Sequence, residues 1–124
     1  MGFEHWQVLI VEDEHDSVQV VSQILLHYGA EVYVARDGYE CLDQLEEVNP
    51  TLIIMDLAMP GLDGWQTLME VRANPRTAHI PVIAITAYHS ANVAQDALQA
   101  GFNAYYPKPL EPISFMKSLE RMVS

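Results

Sequence analysis

Runs of consecutive apolar residues alternate along this chain with stretches in which apolar residues return every third or fourth position. Gln7-Val8-Leu9-Ile10-Val11 is of the first kind and predicts a strand covered on both faces. It gives way abruptly to Glu12-Asp13-Glu14. Asp16 or Ser17 can then cap a helix through Val18, Val21, Ile24, Leu25 and Tyr28, with Gly29 as its stop. Glu31-Val32-Tyr33-Val34-Ala35 alternates, as an edge strand does. Tyr39, Leu42, Leu45 and Val48 mark a second helix, which Asn49-Pro50 ends. Leu52 to Met55 predicts a third strand. Trp65, Leu68, Met69 and Arg72 lie on a third helix, closed by Asn74-Pro75; Trp65 and Met69 share a face and are expected in the core.

Pro81 to Thr86 is a fourth buried strand ending in a hydroxyl. Ser90 can cap a fourth helix through Val93, Ala97 and Leu98, stopped by Gly101. Ala104-Tyr105-Tyr106-Pro107-Lys108-Pro109 is a short fifth strand, placed at an edge because Pro107 has no N–H to give. Glu111-Pro112 opens a last helix with Ile113, Phe115, Met116, Leu119 and Met122. Five strands alternating with five helices predict right-handed crossovers and an α/β fold, a parallel sheet between two helix layers. No repeat, low-complexity tract or linker interrupts the pattern. With the last helix ending at Ser124, the expectation is a single domain over 1–124 without an output domain.

A parallel sheet brings the C-terminal ends of its strands to one rim, where open α/β folds bind ligands. Glu12 and Asp13 follow the first strand, Asp56 the third, Thr86 the fourth and Lys108 the fifth. Asp56 heads Asp56-Leu57-Ala58-Met59-Pro60-Gly61-Leu62-Asp63-Gly64, where Pro-Gly and Asp-Gly steps turn the backbone. Each residue alone has an ordinary structural role: Asp56 as a turn cap, Glu12 and Asp13 as a solvated turn, Lys108 as a surface cation. Together they set three carboxylates, a hydroxyl and an ammonium around one crevice. Clustered carboxylates repel, and hard oxygen ligands with room for water suit Mg²⁺. Such a site could accept a phosphoryl group on one carboxylate, its charge met by the ion and by Lys108.

Charge and composition narrow the partners. The net charge is −11, with only six Lys and Arg, which argues against nucleic acid and anionic membranes as partners and suits a cation or a basic protein surface. Cys41 is the single cysteine, so no internal disulfide forms. The start lacks the basic and apolar regions of a signal peptide, Met1-Gly2 is followed by Trp6 where a myristoylation motif wants Ser or Thr, and no apolar run approaches a membrane span. The expectation is a cytoplasmic protein, monomeric or weakly dimeric.

Val11-Glu12-Asp13, Met55 to Gly64, Thr86-Ala87 and Tyr105-Tyr106-Pro107-Lys108-Pro109 together resemble the receiver domain of bacterial two-component response regulators, of the stand-alone chemotaxis-regulator kind, over essentially the whole chain. That resemblance implies a flavodoxin-like (βα)5 fold with strand order 2-1-3-4-5. It implies that Asp56 is phosphorylated by a histidine kinase or phosphotransfer protein, and that Asp13, Asp56 and the backbone carbonyl of Ala58 bind Mg²⁺. Glu12 would act through a metal-bound water; an Asp is commoner at its position. Lys108 would hold the phosphoryl group, with a cis bond to Pro109. Thr86 and Tyr105 would form a switch pair: a phosphoryl oxygen draws the Thr86 hydroxyl inward and the Tyr105 ring takes the vacated space. The surface of the fourth helix, fifth strand and fifth helix would then repack for a downstream effector. Converting 1:99 into 99:1 takes about 5.5 kcal/mol of differential stabilisation, more than one contact and one ring supply, so a partial shift completed by the partner is expected. The protein would be no conventional enzyme, although it would assist its own phosphorylation and slow hydrolysis.

Three other functions fit parts of the pattern. A metal-dependent phosphatase with an Asp nucleophile would want a second Asp two residues on, where Ala58 stands. A flavin carrier would want a Ser, Thr and Gly-rich phosphate loop after the first strand, where Glu12-Asp13-Glu14 stands. A phosphorylation-independent docking module would leave the acidic site without a purpose. His15 reads as a solvated residue at the start of a helix, Tyr106 as packing on the face opposite Tyr105, and His79 and His89 are assigned no chemistry. Ala58 and Tyr88 are expected to influence phosphoryl lifetime.

Overall fold

The computed structural model describes residues 2–88 and 90–123, so His89 lies outside the described residues. The elements are β1 (Gln7–Val11), α1 (His15–His27), β2 (Glu31–Ala35), α2 (Gly38–Gln44), β3 (Leu52–Asp56), α3 (Gly64–Ala73), β4 (Val82–Thr86), α4 (Ala91–Ala100), β5 (Ala104–Pro107) and α5 (Pro112–Val123). All pairings are parallel and the strand order is β2-β1-β3-β4-β5, the flavodoxin-like order. The two strands expected at edges are the edges.

The pleat sorts the apolar runs onto two faces. Leu9, Val11, Ile53, Met55, Val82 and Ala84 pack against Cys41, Leu45, Leu68, Val71, Ala97 and Phe102. Val8, Ile10, Leu52, Ile54, Ile83 and Ile85 pack against Val21, Ile24, Leu25, Phe115, Met116 and Leu119. With both faces covered, β1, β3 and β4 need no polar alternation. That is why their sequences read as unbroken apolar runs.

Several helix expectations change. α1 starts at His15, preceded by Glu14 rather than by Asp16 or Ser17; both of those lie inside its first turn, and the Ser17 hydroxyl donates to Glu14 Oε1 at 2.6 Å. α2 ends at Gln44, leaving Leu45 in the turn after it and Val48 beyond that turn, and is capped by Asp37, whose Oδ1 accepts from the Glu40 N–H at 2.8 Å. Met69, expected in the core, is exposed at 70%, while Trp65 is half-buried and meets Phe102 edge-on at 5.8 Å; Tyr39, which marked the second helix, is exposed at 62%. Leu98 and Ile113 are exposed too. A helix buries a stripe, and residues at its margin keep helical spacing without gaining cover. Ser90 caps α4 as expected, its Oγ accepting from the Val93 N–H at 3.1 Å.

Arg72 clamps the end of the sheet away from the strand C-termini. Its guanidinium donates to Ala78 O at 3.0 Å, Ile80 O at 2.7 Å, Gly101 O at 2.9 Å and Asn103 Oδ1 at 2.8 Å. One side chain of α3 thus ties the segment before β4 to the segment before β5. Burial holds its pKa below the usual guanidinium range.

Cys41 is fully buried on α2, and burial pushes its thiol up to about 12. A folded thiol that stays protonated should resist alkylation by iodoacetamide at pH 8, while the unfolded chain, with an ordinary thiol, reacts quickly. Intact-mass measurement with and without urea checks this, and rapid modification of the native chain would contradict it. The sign of the linkage follows: the folded pKa is raised, so this contribution to stability is whole below the unfolded pKa of about 8.5 and is lost as pH rises toward the folded value.

Candidate functional site at the strand C-termini

Asp56 is the last residue of β3 rather than the first of the turn, and only 6% of it is exposed. Its backbone is packed against the start of α3, where the hydrogen-replacing Cβ of any residue at Gly64 would stand 2.4 Å from Asp56 O and 2.9 Å from Leu57 Cα. The Gly64 N–H donates to Leu57 O at 3.2 Å. A capping box fixes that helix start: Asp63 Oδ1 accepts from the Gln66 N–H at 2.9 Å, and Gln66 Oε1 accepts from the Asp63 N–H at 3.1 Å. The turn between them leaves Ala58 exposed, its N–H donating to Asp56 Oδ1 at 3.2 Å.

Glu12 follows β1 and is fully buried. Its N–H extends the ladder to Ala35 O at 2.9 Å, and its carboxylate is held from two sides. Lys108 Nζ donates to Oε1 at 2.6 Å, and the Glu14 N–H donates to Oε2 at 3.2 Å. Asp13 is exposed beside it. One carboxylate oxygen each from Glu12, Asp13 and Asp56 lies within 4.8 Å of the others. At that separation each pair of full charges repels by about 3.5 kcal/mol at an effective dielectric of about 20.

Lys108 is the cation of the cluster. Its N–H donates to Thr86 O at 2.8 Å, and the Lys108-Pro109 bond is cis, as expected. Nζ stands 3.7 Å from Asp56 Oδ2 and also donates to Ser17 Oγ at 2.9 Å. Burial and the neighbouring Asp56 carboxylate raise the pKa of Glu12 against the opposing bond from Lys108. For Lys108, burial acts to lower the pKa, but the bond to Glu12 and the fields of Asp56 and Glu12 outweigh it and the pKa is raised. The ammonium therefore stays charged where a charge is needed.

Thr86 ends β4, 2% exposed, its Oγ1 accepting from the Tyr88 N–H at 3.1 Å. Tyr105 pairs in register with Ala84 on the neighbouring strand and is partly buried against the core face that includes Val82 and Ala84. By the pleat, Thr86 and Tyr105 share that face. Tyr106 turns to the other, edge-on to Phe115 at 5.1 Å. His15 is exposed, one ring nitrogen 3.2 Å from Gln19 Nε2, and with Glu12, Asp13 and Arg36 it lines a hollow of about 30 Å³.

Ser17, which the sequence offered only as a cap, and Glu14 belong to this cluster. The available signal was spacing: Ser17 lies four residues beyond Asp13, one helical turn from the rim.

The model of the response regulator receiver domain family matches residues 8–120. The chain belongs to that family. This receiver domain is 31% identical over 113 residues to the polar-differentiation response regulator DivK of Brucella ovis, covering 91% of this chain and 92% of DivK. It superimposes on the chemotaxis protein CheY4 of Vibrio cholerae with a TM-score of 0.87 at 30% identity, covering 96% and 98% of the two chains. It is equally close, at TM-score 0.87 and 30% identity, to the receiver domain of the sensor histidine kinase PA1611 of Pseudomonas aeruginosa, covering 99% and 98%, whose crystal structure has a magnesium ion in the active site cleft. Some curated relatives are far longer: the chain spans 12% of one and 28% of another. The receiver domain is thus a module of two-component signalling.

Proposed function

We propose that this receiver domain is phosphorylated on Asp56 by a histidine kinase or phosphotransfer protein and, once phosphorylated, changes its affinity for a downstream protein. The placement of the Asp56 carboxylate supports this reading most strongly: it is held at the end of the central strand, 3.7 Å from the Lys108 ammonium and inside a three-carboxylate cluster. An Asp56 oxygen attacks phosphorus, the bond from phosphorus to the donor's nitrogen or oxygen breaks, and the leaving atom keeps the electron pair. Water later attacks the acyl phosphate, returning the carboxylate and inorganic phosphate.

The donor set fits Mg²⁺: hard carboxylate oxygens at a rim open to water, where Asp13 and Ala58 are exposed. Asp13, Asp56 and the Ala58 carbonyl would hold the ion, with Glu12 acting through water because Lys108 and the Glu14 N–H already engage both its oxygens. When bound, it would neutralise charge on the phosphoryl oxygens. Lys108 grips the same group from the opposite side. The Thr86 hydroxyl, now accepting from Tyr88 N–H, has its own proton to offer a phosphoryl oxygen, and turning inward frees space on the face it shares with Tyr105. The response then reaches the surface of α4, β5 and α5.

Incubation with a small acyl phosphate and Mg²⁺, followed by peptide mass spectrometry, should place one phosphoryl group on Asp56 and none when the divalent ion is chelated. Label elsewhere, or equal label in chelator, would refute the assignment.

A further inference from the structure

Ser17 and the Glu14 side chain stand beside the acidic cluster and have no role in the chemistry above. Lys108 Nζ donates to Ser17 Oγ at 2.9 Å as well as to Glu12 Oε1 at 2.6 Å. Ser17 spends its own proton on Glu14 Oε1, at 2.6 Å, so it turns lone pairs toward the ammonium. The Glu14 N–H donates in turn to Glu12 Oε2 at 3.2 Å. Lys108, Ser17, Glu14 and Glu12 thus close a ring of hydrogen bonds.

An ammonium has three N–H donors. Two are committed inside the ring. Asp56 Oδ2, 3.7 Å away, is beyond hydrogen-bond reach. The third donor therefore makes no hydrogen bond to the Asp56 carboxylate and remains available to a phosphoryl oxygen arriving beside it.

We infer that Ser17, oriented by Glu14, is a positioning residue for phosphoryl transfer, holding the Lys108 ammonium off the Asp56 carboxylate and ready for the phosphoryl oxygens. This rests on Asp56 being the phosphoacceptor. A lysine head on a flexible four-carbon stem, released from Ser17 but still bonded to Glu12, can swing the freed donor toward the next anionic oxygen, Asp56 Oδ2 at 3.7 Å. Paired directly with Asp56, it would stabilise the nucleophile in its ground state and would have to move during each transfer. Ser17 removes that motion by accepting one of the ammonium protons.

The test is a double-mutant cycle on initial rates of phosphorylation by a small acyl phosphate with Mg²⁺. Ser17→Ala should lower the limiting rate about tenfold, the loss of one charge-assisted hydrogen bond, with little change in donor concentration dependence. Ser17→Thr, which keeps the hydroxyl, should recover most of it. In a Lys108→Met background Ser17→Ala should change the residual rate by less than twofold, because Ser17 acts through the missing ammonium. Equal slowing in both backgrounds would make Ser17 a structural residue at the start of α1 and overturn the inference, as would an unchanged rate in the otherwise native chain. Asp56→Asn measured alongside separates the two ideas: label that survives it overturns the phosphoacceptor role and this inference together.

Discussion

Asp56→Asn should leave the domain folded and unable to take up phosphate. Asparagine fills the same volume at the end of β3, so the core around it is undisturbed. The amide nitrogen and oxygen cannot form an acyl phosphate under these conditions, and Glu12, the other buried carboxylate, already has its oxygens engaged by Lys108 and the Glu14 N–H. Two electrostatic effects oppose one another in stability. Removing a charge relieves repulsion from Glu12 and Asp13, while Lys108 loses an ion pair at 3.7 Å. The net change should stay within about 1 kcal/mol, which urea denaturation reads directly. Phosphate-affinity electrophoresis after treatment with acyl phosphate and Mg²⁺ should show no shifted band. A shifted band as strong as that of the unmodified chain would rule Asp56 out as the acceptor.

Gly64→Ala should cost about 3 kcal/mol of stability, at the upper end of overpacking effects, and slow phosphorylation at the same time. The added carbon would sit 2.4 Å from Asp56 O and 2.9 Å from Leu57 Cα, both backbone atoms that cannot rotate away. Either the first turn of α3 lifts off the sheet or the end of β3 shifts, and the second outcome displaces the Asp56 carboxylate itself. For a domain of this size the expected fall in melting temperature is about 10 °C. Gly61→Ala is the informative companion. Gly61 has φ +72, but only Tyr39 Cε2, at 3.7 Å, would meet its new carbon. Its cost should therefore be backbone strain alone, about 1 kcal/mol, with little change in phosphorylation rate. Calorimetry and the acyl phosphate assay on both variants check the pair; a Gly64→Ala chain as stable and as active as the native one would show that the contact at the strand end yields easily.

The sheet and the identity of its rim residues were legible because both rest on patterns one strand long. Unbroken apolar runs at β1, β3 and β4, too short for helices and rich in Val and Ile, read as strands covered twice, and parallel pairing then leaves no choice about which ends meet. Glu12, Asp13, Asp56, Thr86 and Lys108 are neighbours for that reason. Helix margins were less legible. Tyr39, Met69, Leu98 and Ile113 keep helical spacing yet stay exposed, since spacing gives the direction of a stripe and not its width. Away from the strand ends, contacts between side chains distant in sequence were not legible. Nothing near Ser17 shows that it meets a lysine 91 residues away, and nothing near Arg72 shows four acceptors drawn from two further segments. Such partnerships exist only after the sheet has set its neighbours, so propensity and periodicity carry no trace of them.

Arg72 gives the molecule a stiff end and a soft one. On the side of the sheet away from Asp56, one guanidinium and the Thr77 hydroxyl bolt the connecting segments to their surroundings, Thr77 donating to Val71 O at 2.7 Å. On the side of Asp56, the stretch after β3 runs from Ala58 to Leu62 between its anchors, and Tyr88 after β4 stands out in solvent. Fluctuations of the native state should therefore be larger in the exposed turns at Ala58, Pro60, Gly61 and Tyr88 than in the segments that Arg72 ties down. With the far end fastened and only exposed turns bordering Asp56, the turns around a new covalent group can rearrange without first loosening the core.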